Sequence, residues 1–199
     1  MMHIDLPEPY KRFKRGPQVI LPKDIGIIIA YSGVNKQSFC IDAGTGSGWL
    51  AVALAMVCKR VVSYDVREDF IRIAEKNKAM AKVDNLEFRN ADITKGIKER
   101  DADLITLDMP SAEKALGKCK KSLKDGGMVV GYLPHVEQVA RFIKRLEKGG
   151  FYDIRTYECM LRDILVRQEG MRPSTKGIWH TAYLVFAKNR AKPRLSVLQ

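Results

Sequence analysis

The sequence predicts an α/β fold: a doubly wound, mainly parallel sheet with an antiparallel strand pair at its C-terminal edge. Three observations predict it. Short apolar runs alternate with helix-forming stretches of ten or more residues, the pattern of strand–helix–strand units. The run "SFCIDAGTGSGWL" ends in an acid and three glycines before a helix resumes, as at a ligand-binding turn in such sheets. The last two apolar runs have no helix between them, so they pair antiparallel. The chain's 199 residues suffice for one well-filled domain and are short for two.

Residues 1–17 read as a basic arm, with Pro7, Pro9 and Pro17 and the cluster Lys11, Arg12, Lys14 and Arg15. "PKDIGIIIAYSG" reads as a helix that begins after Pro22 and stops at Gly33. "SFCIDAG" is a buried strand closed by glycine, and "WLAVALAMVC" has the Ala and Leu content of a helix. "RVVSYDV" is a strand; "REDFIRIAEKNKAMAKV" is a helix with Phe70, Ile73, Ala74 and Asn77 on one face. "NLEFRNADI" is a strand with its exit loop, and "ADLITLDMP" is a strand ending at proline. "SAEKALGKCKKSLK" is expected as a helix stopped by a turn at "DGG". "MVVGYLP" is a strand and "HVEQVARFIKRLEKGG" a helix. "FYDIRTYECMLRDILV" and "HTAYLVFAK" are the final strands, joined by the loop "RQEGMRPSTKGIW". The folded domain therefore spans residues 18–190, and residues 191–199 form a tail.

Composition narrows the class. Hydrophobic residues make up 46% and charged residues 29%, as in globular proteins. No stretch has the unbroken apolar length of a membrane span. The opening residues lack the apolar core of a secretory signal, so the expected compartment is the cytoplasm. Cys40, Cys58, Cys119 and Cys159 are widely spaced and outside any metal-binding pattern, so no metal site is expected. Three of them read as buried thiols, with Cys119, amid lysines, the more exposed one. Lys and Arg total 35 against 23 Asp and Glu, a formal charge of +12. That excess favours a polyanionic partner, most often nucleic acid.

The glycines at 44, 46 and 48 form G-x-G-x-G, whereas the dinucleotide fingerprint has one more residue before its third glycine. The shorter loop leaves less room for a pyrophosphate and suits a phosphate-free ligand such as S-adenosylmethionine over a nicotinamide dinucleotide. Gly44 and Gly46 allow a tight turn and close approach of the ligand, and Gly48 allows the helix to pack near the strand. Asp42, under the loop, orients it and meets the ligand's ammonium, directly or through water. Asp65 ends the second strand, placed to accept from both ribose hydroxyls. Asp92 follows the third strand, placed either to accept from an adenine amino group or to cap a turn. Thr45, Ser47, Trp49, Leu50, Phe70 and Ala91 complete the expected cofactor contacts.

Asp108 closes the fourth strand on the same rim. A carboxylate there suits an acceptor that becomes positive as it is methylated, and adenine N1 is such an acceptor. Its lone pair is free in the neutral base, and a carboxylate accepting from the N6 amino group stabilises the developing charge. Tyr132 ends the fifth strand. It is placed to stack on or hydrogen-bond a base, or to serve as a core tyrosine.

The segments "RGPQVILPKD", "IDAGTGSGWL", "SYDVREDF", "NADIT", "LITLDMP", "GYLPHVEQV" and "WHTAYLVFAK" together resemble the tRNA (adenine-N1)-methyltransferase family that acts on the T-loop, in its archaeal and bacterial form. The resemblance runs from about Arg15 to Lys188. It implies a class I S-adenosylmethionine-dependent methyltransferase domain over 18–190, S-adenosylmethionine as cofactor, tRNA as substrate and a homotetramer. It implies a catalytic role for Asp108, which also contacts the cofactor, and a place for Gln18 near the cofactor's methionine end. Family members usually carry a small β-rich domain before "RGPQV", where this sequence has some 15 residues. Leu21 stands where the family has an aromatic or a histidine, and "WHT" replaces "GHT", so Trp179 offers a ring instead. The expected RNA-binding cations are Lys11, Arg12, Lys14, Arg15, Arg162, Arg167, Arg172 and Lys176. Two other readings stay open: methyl transfer to a small molecule of the corrinoid-precursor kind, and a non-catalytic RNA-binding subunit that keeps the fold.

Overall fold

A computed structural model describes residues 6–16 and 18–190. The sequence-predicted tail at 191–199 lies outside the described residues, as do residues 1–5 and 17 of the predicted arm.

Helix α1 runs Pro22–Ser32, opened by proline at its first position and closed by Gly33 at φ 69°, the left-handed conformation glycine adopts most readily. Strand β1 (Phe39–Ala43) leads through the glycine turn into α2 (Trp49–Val57). Next come β2 (Arg60–Asp65), α3 (Glu68–Ala81), β3 (Leu86–Asn90) and β4 (Ala102–Leu107). Helix α3 buries Ala74 and Asn77 from its predicted inner face, with Phe70 and Ile73 half-buried. A 3₁₀ turn, Ala112–Lys114, precedes α4 (Leu116–Ser122). Strand β5 (Leu123–Leu133) is followed by α5 (Val136–Lys148), β6 (Phe151–Glu158), β7 (Ile164–Arg167), β8 (Gly170–Pro173) and β9 (Tyr183–Asn189).

The seven-stranded sheet has the order β3-β2-β1-β4-β5-β9-β6. Its first five strands pair in parallel, and β9 is antiparallel to both neighbours. One apolar core lies under α4 and α5, around Leu107, Leu116, Phe142 and Leu146. The other lies under α1 and α2, around Ile28, Leu54, Val61 and Leu184. With helices on both faces, the central strands bury nearly every side chain, which is why they read as continuous apolar runs.

Four expectations are corrected. The predicted strand from 151 to 166 ends at Glu158, and its last residues, within Ile164–Arg167, instead pair with Gly170–Pro173 of the predicted loop as a separate two-stranded sheet. The final strand begins at Tyr183 rather than His180, and it inserts between β5 and β6. The "DGG" turn is an irregularity within β5: the register jumps from Ala102↔Leu123 to Leu104↔Met128, with Gly126 at φ 72°. The helix expected over 111–124 is a 3₁₀ turn plus the seven residues of α4. The cysteine reading is also reversed. Cys119 is fully buried on the inner side of α4, and Cys159 is the partly exposed thiol. Lysines flank Cys119 in sequence, but helical spacing turns the sulfur inward. The Cys40 and Cys58 thiols meet at 3.4 Å between β1 and the end of α2.

Residues 6–16, the described part of the predicted arm, include a docked segment. Tyr10 and Phe13 are buried against Trp49, with ring centroids 5.1 and 6.2 Å away. Asn77 secures this segment from α3. Its Oδ1 accepts from the Lys14 N–H, and its Nδ2 donates to the carbonyls of Lys14 and Ser47, each at 2.8 Å.

Candidate active site

The site lies at the carboxyl ends of β1, β2 and β4, where an open α/β sheet places its ligands. A narrow cleft there is lined by Gln18, Val19, Ile20, Gly44, Thr45, Gly46, Ser47, Trp49, Leu50 and Asp108. Eight of the ten were predicted. Val19 and Ile20 were missed because apolar residues carry no chemical signal of their own.

The glycine turn is shaped by protein contacts on every side. Gly44, Gly46 and Gly48 all have positive φ, at 89°, 52° and 80°. A side chain on Gly44 would overlap the Asp108 carbonyl, so β1 and β4 can close on each other only with a bare Cα there. Gly48 serves a different neighbour from the one expected. Its missing Cβ would lie 2.9 Å from the Ala74 Cβ, so it lets the turn pack on α3 rather than on a strand. Four of the turn's N–H groups are already engaged. Those of Gly44 and Thr45 donate to the Tyr64 carbonyl, that of Gly46 to Asp65 Oδ2, and that of Gly48 to the Thr45 carbonyl. A phosphate-binding turn leaves such donors free for the anion; here those of Gly44, Thr45, Gly46 and Gly48 are taken up.

The acids take distinct positions. Asp42 is buried and accepts from the Ser63 and Thr106 hydroxyls, each at 2.6 Å, so it ties β1 to both neighbours from beneath. Both of its oxygens are engaged and it does not line the cleft. Burial raises its pKa, only partly offset by those hydroxyls. Asp65 accepts from the Gly46 N–H through one oxygen and from the Arg67 N–H through the other, each at 2.9 Å. Arg67 lies over the Phe70 ring at 3.7 Å from its centroid. The Ala91 N–H donates to the Asp65 carbonyl. Asp92 uses Oδ1 to hold the N–H and hydroxyl of Thr94, the turn-capping arrangement, and these bonds lower its pKa.

Asp108 is the exception. Its carboxylate has no hydrogen-bond donor among the described residues, although it faces the cleft. Burial pushes its pKa up to about 7, with the negative charges of Asp42 and Asp65 adding to the effect. The buried Ser47 hydroxyl in the same cleft is also unpartnered. An unpaired carboxylate beside a turn whose Gly44, Thr45, Gly46 and Gly48 N–H groups are engaged fits a cationic, phosphate-free ligand. Tyr132 stands beside Asp108: β4 and β5 pair Leu107 with Gly131, one residue earlier. Leu21 is buried where α1 begins, while Trp179 is half exposed beneath the Arg162 guanidinium, 5.3 Å from the ring.

The eight cations occupy two regions. Lys11, Arg12, Lys14 and Arg15 belong to the docked N-terminal segment, where Arg12 pairs with Glu8 at 3.0 Å. Arg167 and Arg172 lie on the β7–β8 sheet, Arg162 precedes it, and Lys176 follows it. The structure does not bring these cations into the cleft.

Fold and site together define a class I S-adenosylmethionine-dependent methyltransferase. The chain belongs to the family described as tRNA methyltransferase complex GCD14 subunit, whose pattern matches residues 10–181. It is 36% identical over 213 residues to the tRNA (adenine(57)-N(1)/adenine(58)-N(1))-methyltransferase TrmI of Methanocaldococcus jannaschii, covering 92% of this chain and 76% of that one. Among solved structures it is similar to the tRNA (m1A58) methyltransferase TrmI of Aquifex aeolicus, with a TM-score of 0.85 and 30% identity over 90% of this chain and 73% of that one. It is similar also to a SAM-dependent O-methyltransferase of Thermotoga maritima, with a TM-score of 0.87 and 30% identity over 92% and 70%.

Proposed function

We propose that this protein methylates N1 of an adenine in the tRNA T-loop, at position 58 in the numbering used for its relatives. The observation that carries the proposal is the Asp108 carboxylate, half-buried at the rim without a donor among the described residues and within the field of two other acids. Such a group is costly unless a positive partner arrives. Methylation of adenine N1 supplies one.

Bound S-adenosylmethionine would provide an electrophilic methyl group on a sulfonium centre. The chain's own residues divide the remaining work. The bare main chain of Gly44–Gly46 admits the ligand closely, with Ser47, Trp49 and Leu50 beside it and Gln18 toward its methionine end. Asp65 holds the turn and retains lone pairs for ribose hydroxyls; Asp92 keeps its second oxygen for the adenine edge. Asp108 accepts from the N6 amino group of the target base and stabilises the cation as N1 is alkylated. Tyr132 contacts the base from the adjacent strand. The target N1 lies on a Watson–Crick edge, so the base must leave its stack at a cost of a few kcal/mol.

The β7–β8 sheet supports the partners. Cross-strand register places Ile164, Val166, Met171 and Pro173 on one face and Leu165, Arg167 and Arg172 on the other. Val166 and Met171 are about three-quarters exposed. A lone two-stranded sheet is marginal in water, so the apolar face suits contact between copies in a homotetramer. The basic face suits RNA, together with Arg162, Lys176 and the N-terminal cations. Among the described residues no helix is long and apolar enough to cross a membrane.

The test is incubation of purified protein with unmodified tRNA transcript and isotopically labelled S-adenosylmethionine, followed by nucleoside mass spectrometry. Labelled N1-methyladenosine is the expected product. Label only in another nucleoside, or none in RNA despite cofactor binding, would overturn the assignment.

A further inference from the structure

A second cavity, of about 180 Å³, lies between the segment leading into β4 and helix α4. Gly96, Ile97 and Arg100 line it from the first, and Lys118, Lys121 and Ser122 from the second. It is remote from the cleft. Arg100 precedes β4 and Asp108 follows it, and the six residues of the strand hold them about 20 Å apart. Arg100 is fixed by its own surroundings. Its Nη1 donates to the carbonyls of Ile97 at 2.6 Å and Glu99 at 2.8 Å, and to the Ser122 hydroxyl at 3.3 Å. The Nε–Nη2 edge has no acceptor among the described residues, and that is an edge with which a guanidinium grips an oxyanion through two parallel bonds.

Ser122 is 1% exposed. Its oxygen accepts from Arg100, and its own proton has no acceptor among the described residues. A buried donor left unsatisfied is costly. Lys118 and Lys121 stand three apart on one face of α4. Both are exposed, and neither has a partner among the described residues. Lys120 differs, since it donates to the carbonyls of Gly149 and Gly150. The helix dipole favours a cation in the last turn, which accounts for Lys121 but not for Lys118 or Arg100. No carboxylate lines the cavity. Glu99 turns to Tyr64 and Arg89, and Asp103 to Lys124 and the Phe39 N–H. Asp101 is exposed and outside the lining.

We propose that this cavity is an anion site, separate from the cleft, that binds a phosphate group. Arg100 and Ser122 form its fixed wall, and Lys118 and Lys121 close on the remaining oxygens. A hollow lined by charge of one sign focuses the field and concentrates counter-ions. A phosphate has several acceptor oxygens, enough for a guanidinium edge, a hydroxyl and two ammonium groups at once. The phosphate has two sources, the backbone of a bound RNA or a small free phosphate, and the same groups recognise either. The site stands apart from the proposed methylation, because none of its residues lines the cleft.

The test titrates inorganic phosphate into isotopically labelled protein at constant ionic strength and follows the Gly96 and Ser122 N–H resonances by NMR. Saturable shifts are expected in the wild type. Affinity should fall by about tenfold or more in Lys118→Ala/Lys121→Ala. A control, Lys76→Ala/Lys144→Ala, removes the same charge from exposed positions on α3 and α5 and should bind as the wild type does. Shifts that never saturate, or equal losses in the two double variants, overturn the proposal. All four lysines are exposed, so both variants keep the fold, which unchanged cofactor affinity verifies. Unmodified tRNA transcript then identifies the source. The source is RNA backbone if tRNA displaces the phosphate and the Lys118→Ala/Lys121→Ala variant binds tRNA with a salt slope smaller by about 0.9 per lost contact. Phosphate that stays bound beside tRNA marks a small free phosphate as the source. Absence of tRNA methylation with phosphate binding intact overturns the proposed reaction and leaves this site standing.

Discussion

The carbonyl of Asp108 occupies the space that a side chain on Gly44 would need. The glycine turn and the strand end bearing the cleft's unpaired acid are thus two halves of one close contact. The Asp108 N–H completes it by donating to the Ala43 carbonyl at 2.8 Å.

Gly44→Ala should therefore destabilise the protein from two sources. The positive φ costs about 1–3 kcal/mol in a residue with a Cβ, and the overlap adds about 1–3 kcal/mol. Gly46→Ala shares only the φ penalty, since its Cβ would meet nothing closer than 3.9 Å. Chemical denaturation of the two variants should rank Gly44→Ala well below Gly46→Ala. Cofactor titration should show lost affinity in Gly44→Ala even at temperatures where it remains folded.

Asp108 should set a pH dependence. Its folded pKa, about 7, lies above the unfolded value of about 3.9. The folded state binds this proton more tightly, so the associated stability is complete below about pH 4 and is lost as pH rises through 7. Activity runs the opposite way, because the carboxylate is the working form. The profile of kcat/KM should rise across pH 7 and lose that limb in Asp108→Asn, with kcat lower by about a hundredfold or more. An Asp108→Asn enzyme with wild-type turnover would refute the role.

Asn77 joins the N-terminal segment, the glycine turn and α3 through three hydrogen bonds. Asn77→Ala strands buried backbone groups, at a cost of about 1–3 kcal/mol. Its sharper signature is local. Trypsin should cut after Lys11, Arg12 and Lys14 far faster than in the wild type, while the rest of the domain resists.

His180 should behave as a protonation latch on the segment that carries Thr181. Its Nδ1 lies 2.6 Å from Glu158 and its Nε2 2.9 Å from the Pro134 carbonyl. Both partners are acceptors, so only the imidazolium satisfies both, and the bond to Glu158 raises the pKa first. With the folded pKa above 6.5, the stabilisation is full below that pH and is lost as pH climbs through the raised value. NMR titration should show a downward shift of the His180 pKa in Glu158→Gln.

The parts of the site legible in the sequence were those built from neighbours in the chain. The spacing of Gly44, Gly46 and Gly48 and the acids at the strand ends follow from strand period, helix period and the need for positive φ, all local properties. Asp42 was found, but its partners were not, because Ser63 and Thr106 come from other strands. Asn77 was placed on the right helix face, yet nothing in its surroundings distinguishes an apolar contact from a triple hydrogen bond. The pair Lys23–Asp24 reads like any surface pair at a helix start; its burial depends on Thr181, 158 residues away from Lys23.

By itself, then, the sequence determined the strand–helix alternation from Phe39 to Leu107 and that a bare turn flanked by carboxylates faces a phosphate-free ligand. The tertiary structure alone decided that β9 enters between β5 and β6, that "ILV" folds back as a hairpin, and that the Lys23–Asp24 ion pair is buried against Thr181. The physical reason is range. Local pattern is governed by sterics within a few residues, whereas register, burial and proton placement depend on which distant groups the completed sheet brings into contact.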